Sequence, residues 1–422
     1  MATDSLEPSS DSIAAVCRAY QASLKLAIAK GVDRSRAVQM MAQALQRSAD
    51  DILEANTLDL EASREMAVPN LILDWLKLTP ERIEMAVQIL RRLGELSDPI
   101  QRVMNASYQL DHSQTYSQLR PLGVIALIYE AFPDLGAIAA GLCIKTGNSL
   151  ILRGGSEASH SNAVIAQALQ EALKAAGFPE GCLELLPSDQ GASIRDLVVQ
   201  DQFLSLVIPY GRPSLVQQVV RQSTAPVLKA GMGNCYLYWS PTGNLDMARW
   251  VILDSHQSEP DRVNAIEKVL IHRNQKPSSL AMLWNSMKEK GFEIRGDAEL
   301  VAAFPTQLTL AEESERNQPY LDRIVAFKVV DSIEGAITWI NQYSSGHADC
   351  IVTESYQESR QFALGVDSAS IYINSSPQFS RNPKRGDSIF LGMSNQKGHR
   401  RGPIGLETFT TVKHIIQGHE RF

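Results

Sequence analysis

Apolar and polar positions change their period along this chain. From Ser12 to about Asp98 apolar residues recur three and four apart, among Ala, Leu, Gln, Arg and Met. That spacing predicts a run of amphipathic helices, with starts near Ser48 and at Thr79–Pro80, where proline takes the first helical position. Met104 to Leu119 instead alternates polar and apolar residues around Asp111, which predicts a hairpin. From Val124 onward, short β-branched-rich runs alternate with helical stretches. Val124–Tyr129 and Leu150–Leu152 read as buried strands on either side of a helix over Leu135–Lys145, and Gly147 stands where a C-terminal helix cap belongs. A further helix starts near Ser156 and covers Val164–Ala175. Cys182–Leu186, Leu204–Ile208 and Pro226–Ala230 read as strands, with a helix at Ile194–Val199. Serial strand–helix–strand units build parallel sheets and place ligands at the carboxyl ends of the strands, so the expected fold is a doubly wound α/β domain.

Past Gly231 the alternation continues. Helices are expected at Leu245–Asp254, Ser278–Lys290 and Ile333–Tyr343, and strands at Lys268–His272, Ile324–Val330, Cys350–Thr353 and Ser370–Asn374. The reading divides the chain into a tail over 1–11, a nucleotide-binding domain over 12–228 with the hairpin at about 104–119, a second domain over 229–376, and a basic C-terminal return over 377–422. At 422 residues the chain is long enough for two such domains.

Composition narrows the function classes. A net charge of −7 argues against a general nucleic-acid or acidic-membrane binder. The cysteines Cys17, Cys143, Cys182, Cys235 and Cys350 are scattered and never form C-x-x-C, so neither a disulfide framework nor a zinc site is expected. His347 and Cys350 have a spacing seen at metal sites, but two ligands do not make one. The acidic, Ser-rich start lacks the basic and apolar regions of an export signal, and no run of about 18 apolar residues could span a membrane. A cytoplasmic location is the expectation.

The chemistry concentrates between Pro121 and Asn162. Gly154 and Gly155 turn a strand into a helix whose first turn carries Ser156 and Glu157, and helix starts of this kind present backbone N–H groups to anions. Arg153 stands at the mouth of the turn. This is the expected place for a cofactor phosphate.

These residues carry a resemblance. Pro121 to Ala131, Leu152 to Asn162, Ala348–Asp349, Ile371 to Asn374 and Gln396 to Glu407 follow one another with the spacing of γ-glutamyl phosphate reductases, members of the aldehyde dehydrogenase superfamily. The likeness runs from about residue 12 to 418. It implies an aldehyde dehydrogenase-like fold of two doubly wound α/β domains, plus an oligomerisation arm built from the hairpin and the C-terminal tail. It also implies NADPH-dependent reduction of L-glutamate 5-phosphate to L-glutamate 5-semialdehyde, a step of proline synthesis. In that chemistry a cysteine thiolate attacks the acyl phosphate, and cations receive the phosphate and carboxylate. Arg153, Gly154, Gly155, Ser156, Glu157 and Gly211 match the family's cofactor segments, with Arg153 suited to the 2′-phosphate of NADPH.

The chain departs from its family where the reaction would occur. The family's Gln-Arg-Pro-Ser-x-Cys-Asn segment corresponds to 258–264 here, and the cysteine position holds Val263, with Asn264 and Glu267 beside it. Phe132, Tyr210, Glu259 and Gln378 stand where the family has arginines, and Asp134 replaces an asparagine. Cys235, in a Gly-rich turn, reads as a buried strand cysteine and not as a substitute nucleophile. The resemblance with these losses implies a non-catalytic or altered paralogue. Such a chain would form a homo-oligomer and would act by binding a ligand or by assembling with another protein, a true reductase or glutamate 5-kinase. The alternative is an active reductase that uses unusual residues.

Overall fold

The computed structural model describes residues 10–101, 103–105, 113–188, 194–257, 262–398 and 401–418. Five helices, from Ser10–Leu26 to Pro80–Glu95, occupy the first hundred residues. Thr79 caps the last of them through Arg82 N, and Pro80 follows it inside the helix. A parallel sheet comes next, in the order Leu183–Leu185, Ser149–Arg153, Val124–Tyr129, Leu204–Gly211 and Ala230–Gly231. Its central strand is buried at every position, which is why it reads as a continuous apolar run. The helix Pro133–Lys145 returns the chain between the central strands, and Gly147 ends it at φ +78°. The helix expected near Ser156 begins at Ser159, after a short 3₁₀ turn over Ser156–Ala158.

A second parallel sheet has seven strands, in the order Thr309–Leu310, Glu293–Gly296, Ile324–Val330, Ile266–His272, Cys235–Trp239, Ala348–Val352 and Ser370–Ile373. Cores built on Trp239, Trp284 and Phe327 on one face, and on Tyr238, Leu270 and Phe362 on the other, cover it.

The chain forms two compact units. One contains 1–230, 381–392 and 403–422, and the other 231–380 and 393–402. The C-terminal stretch is therefore shared between them. Within the first unit, Val103–Asn105 pairs antiparallel with Ser113–Pro121, and Thr410–Gly418 pairs antiparallel along that strand from Pro121 to Ser113. The tip expected around Asp111 lies outside the described residues, as do Glu259 and the first nine residues of the tail. No helix among the described residues is long and apolar enough to cross a membrane.

Candidate active site

In the first unit, Arg153 ends its strand and donates from Nη1 to Gly154 O at 2.5 Å. The Asn162 amide stands where a Cβ on Gly154 would sit, so only glycine fits there. Asn162 Oδ1 accepts from Tyr129 Oη at 3.0 Å, which ties the central strand to the helix Ser159–Ala175. A cavity of about 270 Å³ opens beside this turn, lined by Gly154, Ser159, His160, Asn162, Leu186 and Pro187.

Two N–H donors at the start of the helix Ser159–Ala175 are already occupied. His160 N and Ser161 N donate to Asp59 at 3.0 and 2.8 Å, the Ser161 hydroxyl does so at 2.6 Å, and His160 Nδ1 lies 2.8 Å from the same carboxylate. Asp59 is a buried side chain on the helix Ala49–Glu65, a hundred residues upstream, so no local pattern announces the cap. Asp59→Ala strands these donors. It is expected to cost about 2–3 kcal/mol in urea unfolding, with Asp59→Asn losing clearly less.

Glu157 folds its carboxylate back over Gly155. Burial raises its pKa and nearby Glu130 adds to the rise, while Arg212 and Arg153 oppose it. Glu130 accepts from Arg212 N at 2.7 Å and Arg212 Nε at 2.9 Å. Gly211 adopts φ +146°, and a Cβ there would stand 2.5 Å from Glu130 Oε2. The segments singled out for a cofactor thus bring two carboxylates, Glu157 and Glu130, near two guanidinium groups, Arg212 and Arg153.

Two of the positions read as a degenerate anion site are filled by packing. Phe132 and Tyr210 are each 1% exposed and meet edge to face at 5.5 Å, with Trp75 stacked on Phe132 at 4.7 Å. Arg381 Nη2 donates to Tyr210 Oη at 2.8 Å. Asp134 is no bare carboxylate, because Arg82 Nη2 donates to it at 2.5 Å. The sequence reading missed Trp75 and Arg82, and took Arg381 for a solvated or oligomer-facing charge; all three come from helices and loops distant in the chain.

In the second unit, Val263 is 1% exposed, and its carbonyl accepts from Gly233 N at 2.9 Å. Asn264 Nδ2 donates to Pro377 O at 3.1 Å, while its buried Oδ1 has no hydrogen-bond partner among the described residues. Glu267 is a structural clamp: its carboxylate accepts from Tyr320 N at 2.6 Å and Leu321 N at 2.8 Å, and Lys268 Nζ lies 3.8 Å away. Gln378 is exposed. Cys235 is fully buried, and burial pushes its thiol well above the usual range. Cys143, Cys182 and Cys350 are buried too, and Cys17 is half-buried on the first helix. His347 Nδ1 lies 2.8 Å from Ser345 Oγ, and no group of three or more metal-ligating side chains forms among the described residues.

His256 closes the helix before this loop, with Nε2 on Ile266 O at 2.9 Å and its ring against Phe292. Burial lowers its pKa to about 4. A depressed histidine contributes stability above its unfolded pKa of about 6.5 and loses it as pH falls toward the folded value. The stability of the native chain relative to His256→Gln should therefore drop by about 2 kcal/mol between pH 7.5 and pH 5. Urea titrations at the two pH values check this.

Fold and loop order define the class: an aldehyde dehydrogenase-type protein. The family model described as "Aldehyde dehydrogenase family" matches residues 5–233. The chain is 58% identical over 391 residues to γ-glutamyl phosphate reductase 2 of Synechocystis sp., which covers 93% of each chain. It is 39% identical to the γ-glutamyl phosphate reductase of Gloeobacter violaceus over 95% of each. The crystal structure of γ-glutamyl phosphate reductase from Thermotoga maritima matches with a TM-score of 0.88 at 31% identity, covering 97% of this chain and 99% of that one. The chain belongs to the γ-glutamyl phosphate reductase family, oxidoreductases of proline biosynthesis.

Proposed function

We propose that this chain is a member of the family whose acyl-transfer chemistry has been lost or strongly reduced. One observation carries the reading: the position that the resemblance assigns to the nucleophile is a buried valine, with no atom able to hold an acyl group. The burial of Cys235 supports it, as does the aromatic packing of Phe132 and Tyr210 where the family places arginines.

Cofactor capacity is retained in this proposal. Arg153, Gly154, Gly155, Ser156, Glu157 and Gly211 would hold NADPH. The 270 Å³ cavity, with its polar Ser159 and Asn162 and its apolar Leu186 and Pro187, suits an adenosine half. When bound, the nicotinamide supplies or accepts hydride. A cytoplasmic homo-oligomer is proposed, assembled through the sheet of Ser113–Pro121 and Thr410–Gly418, whose outer strand leaves Val412 and Ile416 about half exposed. A true reductase subunit or glutamate 5-kinase is the proposed partner.

The second reading is an active NADPH-dependent reductase with unusual residues. The 58% identity to a chain named γ-glutamyl phosphate reductase 2 favours it. Turnover of the purified chain with L-glutamate 5-semialdehyde, phosphate and NADP⁺ separates the two. Absence of NADPH formation supports the first reading, and turnover comparable with that of the Gloeobacter relative overturns it.

A further inference from the structure

A cavity of about 50 Å³ lies within the second unit, on the sheet face that carries Tyr236 and Leu270. Nothing in the reading of Val263 depends on it. Tyr236, Ala326 and Trp339 give it apolar walls, and Lys268 lines it while only 4% exposed.

The carboxylates in the wall are engaged elsewhere. Glu315 takes Arg295 Nη1 at 2.5 Å on one oxygen and Tyr320 Oη at 2.8 Å on the other. Asp297 takes Leu300 N at 3.0 Å and Val329 N at 3.1 Å. Glu312 is engaged in a capping box with Glu315.

Of the cations in the wall, Arg316 donates to Glu313 at 2.7 Å, and the two lysines are served less well. An ammonium carries three donor protons. Lys268 Nζ has the Gln318 carbonyl at 3.3 Å, the Tyr320 ring at 3.5 Å and Glu267 at 3.8 Å. Lys328 Nζ stands 3.6 Å from Asp297 and 4.6 Å from the Trp339 ring. Neither ammonium group therefore has a close acceptor for all of its protons. At about 10–15 Å³ per water-sized occupant, the cavity has room for about four heavy atoms, the size of a carboxylate with one carbon attached.

We propose that this cavity binds the carboxylate of a small organic acid, with Lys268 as its principal partner and Lys328 as the second. The aromatic walls exclude water around Lys268 and would accept a short aliphatic stem. Burial lowers the pKa of Lys268, so more of its amine is neutral and nucleophilic near neutral pH than at an exposed lysine, and its rate of labelling reports on occupancy.

The test uses the intact chain. Lysines are methylated reductively with formaldehyde and cyanoborohydride and quantified by peptide mass spectrometry, with exposed Lys276 as the internal reference. Acetate is the probe, acetamide its neutral isostere, and inorganic phosphate the competing anion. Acetate should slow labelling of Lys268 relative to Lys276 saturably, about fivefold at four times its half-maximal concentration, and acetamide should not. Lys328→Gln, at a partly exposed position, should raise that half-maximal concentration about fivefold without abolishing protection. No protection by acetate, or equal protection by acetamide, overturns the proposal. Phosphate protecting as strongly as acetate would overturn the carboxylate assignment in favour of an unselective anion site.

Discussion

Supplied with L-glutamate 5-semialdehyde, phosphate and NADP⁺, the purified chain is expected to form NADPH on the order of 10⁶-fold more slowly than a relative with cysteine at the nucleophile position, about 8 kcal/mol of barrier. The reason is chemical and local. A valine side chain offers no lone pair, so no covalent acyl intermediate can form on residue 263. The thiols elsewhere are poorly placed to compensate: Cys235 is fully buried, and burial holds it in its protonated form. Val263→Cys alone should recover little, because the resemblance also assigns binding arginines to positions 132 and 210, where Phe132 and Tyr210 now pack on each other. A large rescue by that single change would show that the aromatic replacements matter less than argued. Following NADPH absorbance for the native chain and Val263→Cys, beside the Gloeobacter relative, reads both outcomes.

Glu267→Ala should be the most damaging single change to stability, about 3–5 kcal/mol. It removes one partner of a buried pair and leaves Lys268 with its charge uncompensated. It also frees the Tyr320 and Leu321 amides that the carboxylate holds. Leu321 sits at φ +58°, a left-handed conformation that costs a branched L-residue about 1–2 kcal/mol unless something holds it. Hydrogen exchange gives a local readout: the amides of Tyr320 and Leu321 should exchange far faster in the variant, beyond the change at distant core amides. Glu267→Gln keeps one oxygen acceptor and should lie between the two. Unchanged exchange at both amides would refute the clamp.

The elements were legible from periodicity because their causes are local. Ile324–Val330 and Ile333–Tyr343 begin and end where the apolar pattern and the Ser332 cap place them. The helical start near Ser156 is a 3₁₀ turn that becomes α-helix at Ser159, where Asp59, from another helix, takes the first N–H groups. The aromatic packing of Phe132 is a similar case. A missing arginine can be read from the sequence, but the ring that fills the space, Trp75, comes from a helix some fifty residues earlier.

By itself, the sequence determined the α/β alternation, the family, and the absence of sulfur at residue 263, since each is a property of residue type and order. Only the tertiary structure decided which carboxylates are spoken for. Asp59, Asp134 and Glu267 look alike in a string of letters, yet each is satisfied by partners brought together through folding. Hydrogen bonds act over about 3 Å, and chain order alone does not tell which distant groups come that close.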